Sequence, residues 1–331
     1  MSKFSFKVNP LSKQLKYQQL VDSVTDAVSE NKLQTGDVLP SVNQICEESN
    51  LSRDTVFKAY TELKNRGIIE SVPNKGYFIA NATLKVFLML DTFKAYKEIL
   101  YGALRDNLPE NITVDLNFHH YNIKVFESII TDSIGKYSKY VIMNFNHPKV
   151  NSITKQIPHN KLLIIDWIIN ADEKVPVIYQ NFGTALYNQL AANNQLIKKY
   201  QQFIYIYPPF TYHPEESVTW FEKFCTDYSI PFQIVKNSKK PEIKKDNVYL
   251  SVSDRVLAHI LDQCHNQQLV PGTDIGIISY NETPMKKYIK EGITVISTDF
   301  VLMGKKIAEF IINGNPVHIE IPTQLILRKS L

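Results

Sequence analysis

Residues 51–63 read LSRDTVFKAYTEL, and this stretch decides the fold of the first part of the chain. Ser52 is of the residue type that caps the start of a helix. Behind it, apolar residues recur at helical spacing and form one stripe, namely Val56, Ala59, Tyr60 and Leu63. The remaining side chains lie outside that stripe. The stretch therefore predicts an amphipathic helix with one buried and one exposed face.

The neighbouring sequence extends this helix into a small domain. Helical patterns cover residues 14–31 and 42–48, separated by a polar turn that contains Gly36, and Ser41 can cap the second of them. After Gly67 the pattern changes to strand, turn and strand over residues 68–79. This order predicts an α+β winged helix-turn-helix, whose third helix can enter a DNA major groove while its hairpin reaches a neighbouring groove or the backbone. A helical dimerisation module with the same pattern is the alternative.

Length and composition exclude several classes of protein. The chain has 331 residues, 44% hydrophobic and 21% charged, which suggests two domains with ordinary cores rather than a disordered protein. A membrane span needs about 18 consecutive apolar residues, and no run in this sequence approaches that length. The N-terminus also lacks the apolar region of a signal peptide. We therefore expect a cytoplasmic protein. Three cysteines without metal-ligand spacing, Cys46, Cys225 and Cys264, favour neither disulfides nor a zinc ribbon.

The formal net charge is only +4 and is spread along the chain. Residues 1–82 hold ten Lys and Arg against nine Asp and Glu, so this part carries no polybasic tail. DNA contact would have to come from a local cluster of charge on one face. All eight His and both Trp follow residue 82, and this change in composition predicts a domain boundary near Asn81.

The first eighty residues resemble the GntR family of bacterial transcription regulators, through residues 36–41, 51–63, 67–69 and 75–77. The resemblance implies DNA contact by the third helix and the wing tip, through Arg53, Thr55, Lys75 and Gly76. Asp54 and Lys58 lie outside the buried stripe of the third helix and are further candidates. Where that family usually has an arginine two places after the Pro-Ser pair, this chain has Asn43. Asparagine lacks the guanidinium fork but can bind a phosphate or an adenine edge.

From residue 84 onward, strands and helices alternate. Ten apolar runs have strand length, namely residues 86–90, 114–118, 140–145, 162–167, 177–179, 203–207, 232–235, 248–252, 275–279 and 294–297. Helical patterns lie between most of them, at 96–108, 126–137, 184–200, 217–228, 255–264 and 302–312. Apolar strands separated by helices predict parallel sheets that are covered on both faces. Ten strands fit two doubly wound α/β lobes, with a cleft at the carboxyl ends of the strands.

This second part resembles the effector domain of LacI-type regulators and periplasmic sugar-binding proteins, most specifically over residues 270–281, 293–308 and 321–330. The implied domains are a head at 1–80, a linker at 81–84 and an effector domain at 85–331. Lobe 1 would cover about 85–181 plus 299–316, and lobe 2 about 182–298 plus 317–331. The resemblance implies three crossings between lobes, near Asn181, Thr298 and Pro316.

Polar and aromatic residues at the strand ends are the candidate ligand contacts: Asp91, Phe93, His119, His120, Tyr121, Asn144, Asp166, Trp167, Tyr207, Asp254, Arg255 and Asn281. Such a mixture suits a sugar, because carboxylates and amides bind hydroxyl groups and aromatic faces cover the apolar side of the ring.

Several of these residues have simpler interpretations. Adjacent His119 and His120 point to opposite faces of a strand without a third ligand, so we expect no metal site. Trp167 can equally be a core residue. Asp254 matches a family position that bonds sugar hydroxyls; it can also cap the following helix, and the two roles do not exclude each other. Asn281 stands where many relatives carry aspartate, which favours an uncharged ligand.

The sequence therefore predicts a DNA-binding transcription regulator with no cofactor and no membrane association. It would bind a pseudo-palindromic operator as a homodimer and respond to a neutral pentose or deoxyhexose, such as arabinose or fucose, in the interlobe cleft. A sugar-processing enzyme or a sugar-binding protein with a DNA-binding-like head is the alternative. No phosphate-binding loop, nucleophile elbow or paired-carboxylate motif favours the enzyme. The sequence leaves open which sugar binds and whether binding represses or activates.

Overall fold

A computed structural model describes residues 4–12, 14–30, 32–73, 75–80, 84–168, 174–236 and 242–331. The chain divides into two compact units. The first comprises Met1–Phe93, Tyr101–Ile178 and Gly304–Ile319, and the second comprises Lys94–Leu100, Tyr179–Met303 and Glu320–Leu331. Residues 81–83 of the expected linker lie outside the described residues, and Leu84 already begins a strand.

The head, residues 4–80, contains three helices and a hairpin. They are α1 (Lys16–Ser29), α2 (Val42–Ser49), α3 (Arg53–Asn65), β1 (Ile69–Val72) and β2 (Gly76–Ile79). The two strands pair in antiparallel orientation. The predicted winged helix-turn-helix is confirmed.

Local hydrogen bonds fix the turn between α2 and α3. Ser41 and Gln44 form a capping box, in which the Ser41 hydroxyl accepts from the Gln44 amide at 3.2 Å and the Gln44 side chain accepts from the Ser41 amide at 2.8 Å. Asn50 follows α2 in the left-handed conformation, with φ 56°. The Ser52 hydroxyl then accepts from the Thr55 amide at 3.3 Å and caps α3.

The head has its own apolar core. Leu20 and Val24 of α1, Ile45 of α2 and Leu63 of α3 are fully buried together. The buried Tyr60 hydroxyl donates to the Pro40 carbonyl at 2.6 Å, so its polar end is satisfied. This packing determines which face of α3 remains exposed.

Strands and helices alternate through the rest of the described chain. The strands are β3 (Leu84–Leu90), β4 (Ile112–Phe118), β5 (Lys139–Met143), β6 (Leu162–Asp166), β7 (Val177–Gln180), β8 (Gln202–Ile206), β9 (Phe232–Val235), β10 (Asn247–Ser251), β11 (Gly276–Tyr280), β12 (Thr294–Thr298), β13 (His318–Ile321) and β14 (Thr323–Ile326). The helices are α4 (Ala95–Asp106), α5 (Ile123–Ser133), α6 (Val150–Thr154), α7 (Thr184–Ala192), α8 (Asn194–Ile197), α9 (Glu216–Asp227), α10 (Asp254–Asn266) and α11 (Phe300–Asn313).

Two six-stranded sheets form the cores of two lobes. The first lobe has the strand order β4-β3-β5-β6-β7-β13, and the second has β9-β8-β10-β11-β12-β14. Within these two sheets, the strand pairs whose register the structure describes are parallel, except that β12 and β14 are antiparallel. Strands β5, β10, β11 and β12 are buried along their whole length, as expected for sheets covered on both faces. The predicted doubly wound sheets are confirmed.

The strand order places the candidate ligand contacts. In each sheet the order reverses beside its first strand, at β4-β3-β5 and at β9-β8-β10. Such a switch point leaves a crevice at the carboxyl ends of the strands. We call these ends the first and the second carboxyl edge.

In the described residues beyond the head, β13 and β14 are strands in addition to the ten expected apolar runs. Two further details differ from the expectation. The helix expected over residues 184–200 is broken at Asn193 into α7 and α8. The Asn193 and Asn194 side chains donate to the carbonyls of Gln189 and Ala191, which competes with helix continuation. In addition, β13 joins the first sheet, although the expected boundary placed residues from 317 onward in the second lobe.

In the described part of the chain, no helix is both long and apolar enough to cross a membrane.

Candidate DNA-binding face and ligand-binding edges

The exposed face of α3 carries four of the residues expected to contact DNA. Arg53, Asp54 and Lys58 are exposed, and Thr55 is half-buried in the first turn of the helix. Because the opposite stripe of α3 fills the head core, these side chains point away from it. The structure thus brings them together on one surface.

Two cations on this face lie over aromatic rings. The Arg53 guanidinium carbon is 5.6 Å from the centre of the Phe57 ring, and Lys58 Nζ is 4.1 Å from the centre of the Tyr17 ring. A ring attracts a cation through its face and restricts the side chain without needing a hydrogen bond. Both cations therefore have an aromatic contact within the head.

The other expected DNA contacts lie on α2 and the hairpin. Asn43 is exposed on α2. Lys75 and Gly76 are exposed at the turn between β1 and β2, where Gly76 has φ 103°, a conformation that favours glycine. Asn74 of the same turn lies outside the described residues.

At the first carboxyl edge, the structure brings Asp91 and Tyr121 together. Asp91 follows β3 and is buried, and its carboxylate accepts hydrogen bonds from the Thr92 amide and from the Tyr121 hydroxyl. Tyr121 follows β4 and adopts φ 58°. The ends of two neighbouring strands are therefore linked by side chains that the sequence singled out.

His119, at the end of β4, packs beneath the side chains of the first carboxyl edge and bonds to the backbone of Tyr121. It is fully buried, and its ring stacks on Phe145 with 4.6 Å between ring centres. Its Nδ1 accepts from the Tyr121 amide at 3.0 Å, so the neutral ring carries its proton on Nε2, which donates to the Met143 carbonyl at 3.2 Å. Both ring nitrogens are occupied within the protein, so we assign His119 a positioning role in place of the expected ligand contact.

The other candidates at the first edge differ in exposure. Phe93 is half exposed and packs edge-on against Tyr101 and Phe118, and His120 is exposed with φ 49°. Asn144 is buried, and its side-chain oxygen accepts from the following backbone amide at 3.0 Å. Asp166 and Trp167 are half-buried at the end of β6.

At the second edge, a buried lysine organises two candidates. Lys286 Nζ donates to the Tyr280 and Asn281 carbonyls at 3.0 and 2.7 Å and pairs with Asp254 Oδ1 at 2.8 Å. Burial lowers the pKa of Lys286, and the charge of Asp254 opposes that change. The expectation that Asp254 can cap α10 is wrong, because the helix begins at Asp254 and Ser253 stands at the cap position.

His213 at the second edge was missed by sequence reasoning. Its ring packs edge-on against Tyr280 and Phe182, with 4.4 and 5.1 Å between ring centres. Burial, with a smaller contribution from Lys94, lowers the pKa of His213 to about 3. Within the described residues, Nε2 of this ring and Oδ1 of Asn281 are both buried without a hydrogen-bond partner. Unpaired buried polar atoms are rare in folded proteins and call for a partner.

Tyr207 and Arg255 complete the second edge. The Tyr207 hydroxyl donates to the His213 carbonyl, and burial raises the pKa of Tyr207 to about 12. Arg255 is exposed, and its guanidinium lies 4.9 Å from the centre of the Phe210 ring. Both belong to the same lobe as His213 and Asn281.

Two family models match separate parts of the chain. Residues 16–79 match bacterial regulatory proteins, gntR family, and residues 196–331 match the periplasmic binding protein-like domain. The chain joins a GntR-type helix-turn-helix domain to a periplasmic-binding-protein-like domain.

The curated relatives match about a quarter of the chain or less. The HTH-type transcriptional repressor YtrA of Bacillus subtilis (strain 168) is 31% identical over 74 residues, which are 22% of this chain and 57% of YtrA. The uncharacterized HTH-type transcriptional regulator YcxD of the same strain is 36% identical over 70 residues, which are 21% of this chain and 16% of YcxD. The chain thus spans less than two thirds of the length of each of these two relatives.

Solved structures match the remaining part by fold. A LacI family transcriptional regulator from Silicibacter pomeroyi has TM-score 0.63 at 14% identity and covers 75% of this chain and 98% of its own. The trehalose repressor from Escherichia coli has TM-score 0.63 at 10% identity and covers 74% of this chain and 100% of its own. Residues beyond the head therefore have the fold of a LacI-type effector domain.

The GntR-type domain contacts the first lobe through α1. Lys161, which precedes β6 and is 4% exposed, pairs with Asp22 at 3.0 Å and with Asp26 at 3.5 Å. Lys139 Nζ donates to the Asn160 carbonyl at 2.8 Å beside them. Burial raises the pKa of Asp26 and lowers that of Lys139, in each case against the attraction of opposite charges. We call Asp22, Asp26, Lys139 and Lys161 the head–lobe cluster.

An open groove runs along the head–lobe cluster. It is lined by the N-terminal segment, by α1 and by the loop that carries Lys161. One side of the cluster therefore stays in contact with solvent, which reduces the energetic cost of holding these charges.

Proposed function

We propose that this protein is a transcription regulator that binds a pseudo-palindromic operator as a homodimer, and that a small neutral sugar controls its affinity for that operator. The observation that carries the proposal is the joining, in one chain, of a GntR-type domain with an exposed, cation-bearing α3 face and a LacI-type fold with unpaired polar atoms at a carboxyl edge.

The chemistry of the second edge favours an uncharged ligand. With its pKa near 3, His213 is neutral at physiological pH, and Asn281 presents an amide where a carboxylate would repel or attract charge. A sugar hydroxyl both donates and accepts, so it can satisfy an imidazole nitrogen and an amide oxygen at once. The rings of Tyr280 and Phe182 pack against His213, and aromatic side chains are the type that covers the apolar side of a sugar ring.

Neighbouring structures support the same ligand class. A LacI family transcriptional regulator from Lactobacillus casei, with TM-score 0.62 at 13% identity, was solved with bound glucose. Within this class, we propose a pentose or a deoxyhexose, such as arabinose or fucose.

The contact between α1 and the first lobe provides the route from ligand to DNA. Because α1 packs in the head core and pairs with Lys161, a change in the first lobe alters the free energy of the head position. The sugar regulates DNA binding only if it binds the two conformational states with different affinity.

Thermal stability in the presence of sugars tests the ligand class. We expect a neutral pentose or deoxyhexose at about 100 times its dissociation constant to add about 2.7 kcal/mol of stability. The His213→Phe variant keeps an aromatic ring but loses the nitrogen, so it should lose most of this gain. His265→Phe, on the exposed face of α10, is the matched control and should retain it. Stabilisation by phosphorylated sugars or nucleotides alone would contradict the neutral-sugar proposal.

DNA binding is tested separately. Arg53→Ala should weaken binding to a selected operator by about 1–3 kcal/mol and relax base preference, while the sugar response stays unchanged. An Arg53→Ala variant that binds the operator as tightly as the parent would show that α3 does not read the DNA.

A further inference from the structure

Phe57 is an aromatic side chain on the outer face of α3. It is 41% exposed, whereas the apolar stripe of the same helix is buried. The side chains around it on that face are polar, including Asp54, Lys58 and Thr61. Packing within the head therefore does not account for an aromatic ring at this position.

The ring of Phe57 also holds Arg53. The guanidinium carbon lies 5.6 Å from the ring centre, and the two residues are four positions apart on the helix, so they share one face. A guanidinium that rests on a ring keeps the N–H donors at its edge available. Phe57 can thus position the arginine and present its own apolar edge at the same time.

We infer that Phe57 reads a thymine in the operator by packing against the C5-methyl group, while it positions Arg53 for a nearby base. This inference rests on the proposed DNA binding. In the major groove, thymine is the base that presents a methyl group, and phenylalanine is one of the side chains that contact it. Four residues of helix rise about 6 Å, so the thymine lies within about two base-pair steps of the base contacted by Arg53.

Replacement of single methyl groups in the DNA tests the contact directly. An operator is first selected from a random duplex library with the full chain. Each thymine is then replaced by deoxyuridine, which removes only the methyl group. We expect one position in each half-site to weaken binding about fourfold, the equivalent of about 0.8 kcal/mol for one buried methyl-sized group.

The protein variants complete a double-mutant cycle. Phe57→Ala should bind the thymine operator more weakly and be insensitive to deoxyuridine at that position, and Phe57→Leu should keep part of the sensitivity. Phe232→Ala removes a comparably exposed ring from β9 in the other unit and should behave as the parent does.

These measurements distinguish a failure of DNA binding from a failure of the thymine contact. If the full chain selects no sequence, the proposed DNA binding fails. If it selects an operator but Phe57→Ala and the parent respond equally to every deoxyuridine, DNA binding stands and the thymine contact is overturned. A uniform loss of affinity in Phe57→Ala with unchanged deoxyuridine sensitivity would also overturn it.

Discussion

Replacement of Lys161 by methionine should release the head from the first lobe. Lys161 is 4% exposed and faces two carboxylates of α1, Asp22 and Asp26, which are 13% and 21% exposed. Methionine fills a similar volume but carries no charge. The change leaves two half-buried like charges, one helical turn apart, without their nearest cation.

The size of the effect follows from the geometry. Two unit charges 3.0 Å apart attract by about 5 kcal/mol at an effective dielectric constant of about 20, before the cost of removing them from water. Loss of one partner from a fully buried pair costs about 3–5 kcal/mol. Because water reaches Asp22 and Asp26 through the open groove, we expect about 2–3 kcal/mol for Lys161→Met.

Hydrogen exchange of the α1 amides measures this loss locally, which matters because a protein of two units need not unfold in one step. A double-mutant cycle with Asp22→Asn should give a coupling energy of about 1–3 kcal/mol. The control is Lys306→Met, whose ion pair with Glu309 is more exposed and should contribute at most about 0.5 kcal/mol.

If Lys161→Met lowers the protection of α1 no more than Lys306→Met does, the ion pairs of Lys161 do not hold the head. The head would then not depend on the head–lobe cluster, and a signal between ligand and DNA would have to pass through residues 81–84. If those ion pairs hold the head, Lys161→Met should also reduce the ratio of operator affinities measured without and with saturating sugar.

Three further outcomes are expected. Asp26→Asn should preserve or increase head stability at pH 7, because burial raises the pKa of Asp26 and makes its ionised form costly. Hydrogen exchange of the α1 amides measures this gain. The gain should vanish below the ordinary Asp pKa of 3.8, because Asp26 is then protonated in both the folded and the unfolded state. Acidification from pH 6.5 toward 3 should lower the free energy of unfolding by up to about 1.4 kcal/mol per pH unit through His213, because the unfolded chain takes up a proton that the buried ring does not. The stability of His213→Phe, measured by calorimetry, should lack this contribution to the pH dependence. Lys75→Ala should weaken binding to all DNA sequences about equally. In a salt titration it should reduce the slope of log affinity against log salt concentration by about 1. A loss of affinity that depends on the DNA sequence would contradict a phosphate contact.

The elements of the head and the alternation beyond it could be predicted because they depend on local patterns. Val56, Ala59, Tyr60 and Leu63 recur at helical spacing, and they are the residues buried in α3. Ser52 is a capping residue by type, and its hydroxyl caps α3. Continuous apolar runs predicted buried parallel strands, because a strand that is covered on both faces has apolar side chains on both of them.

The candidate sites were predictable only in part. The ends of parallel strands meet at one edge of a sheet, so Asp91 and Tyr121 could be placed near each other from topology, and their hydrogen bond agrees with that placement. His213 lies farther along a loop after β8, where no periodic pattern operates. The only hint in the sequence near His213 was the aromatic and polar composition of that loop. Composition does not determine which side chain of a loop becomes buried.

The sequence by itself determined the type and order of most helices and strands, since capping residues and apolar spacing act over a few positions. It did not predict the break at Asn193 or the strand β13. Tertiary structure decided the roles of individual charged and titratable side chains. Lys161 meets Asp22, and Lys286 meets Asp254, across long stretches of chain. Packing engages both ring nitrogens of His119 within the protein and, in the described residues, leaves Nε2 of His213 buried without a hydrogen-bond partner. The physical reason is that burial and Coulomb attraction depend on distances in space, and two residues far apart in sequence acquire those distances only when the whole domain packs.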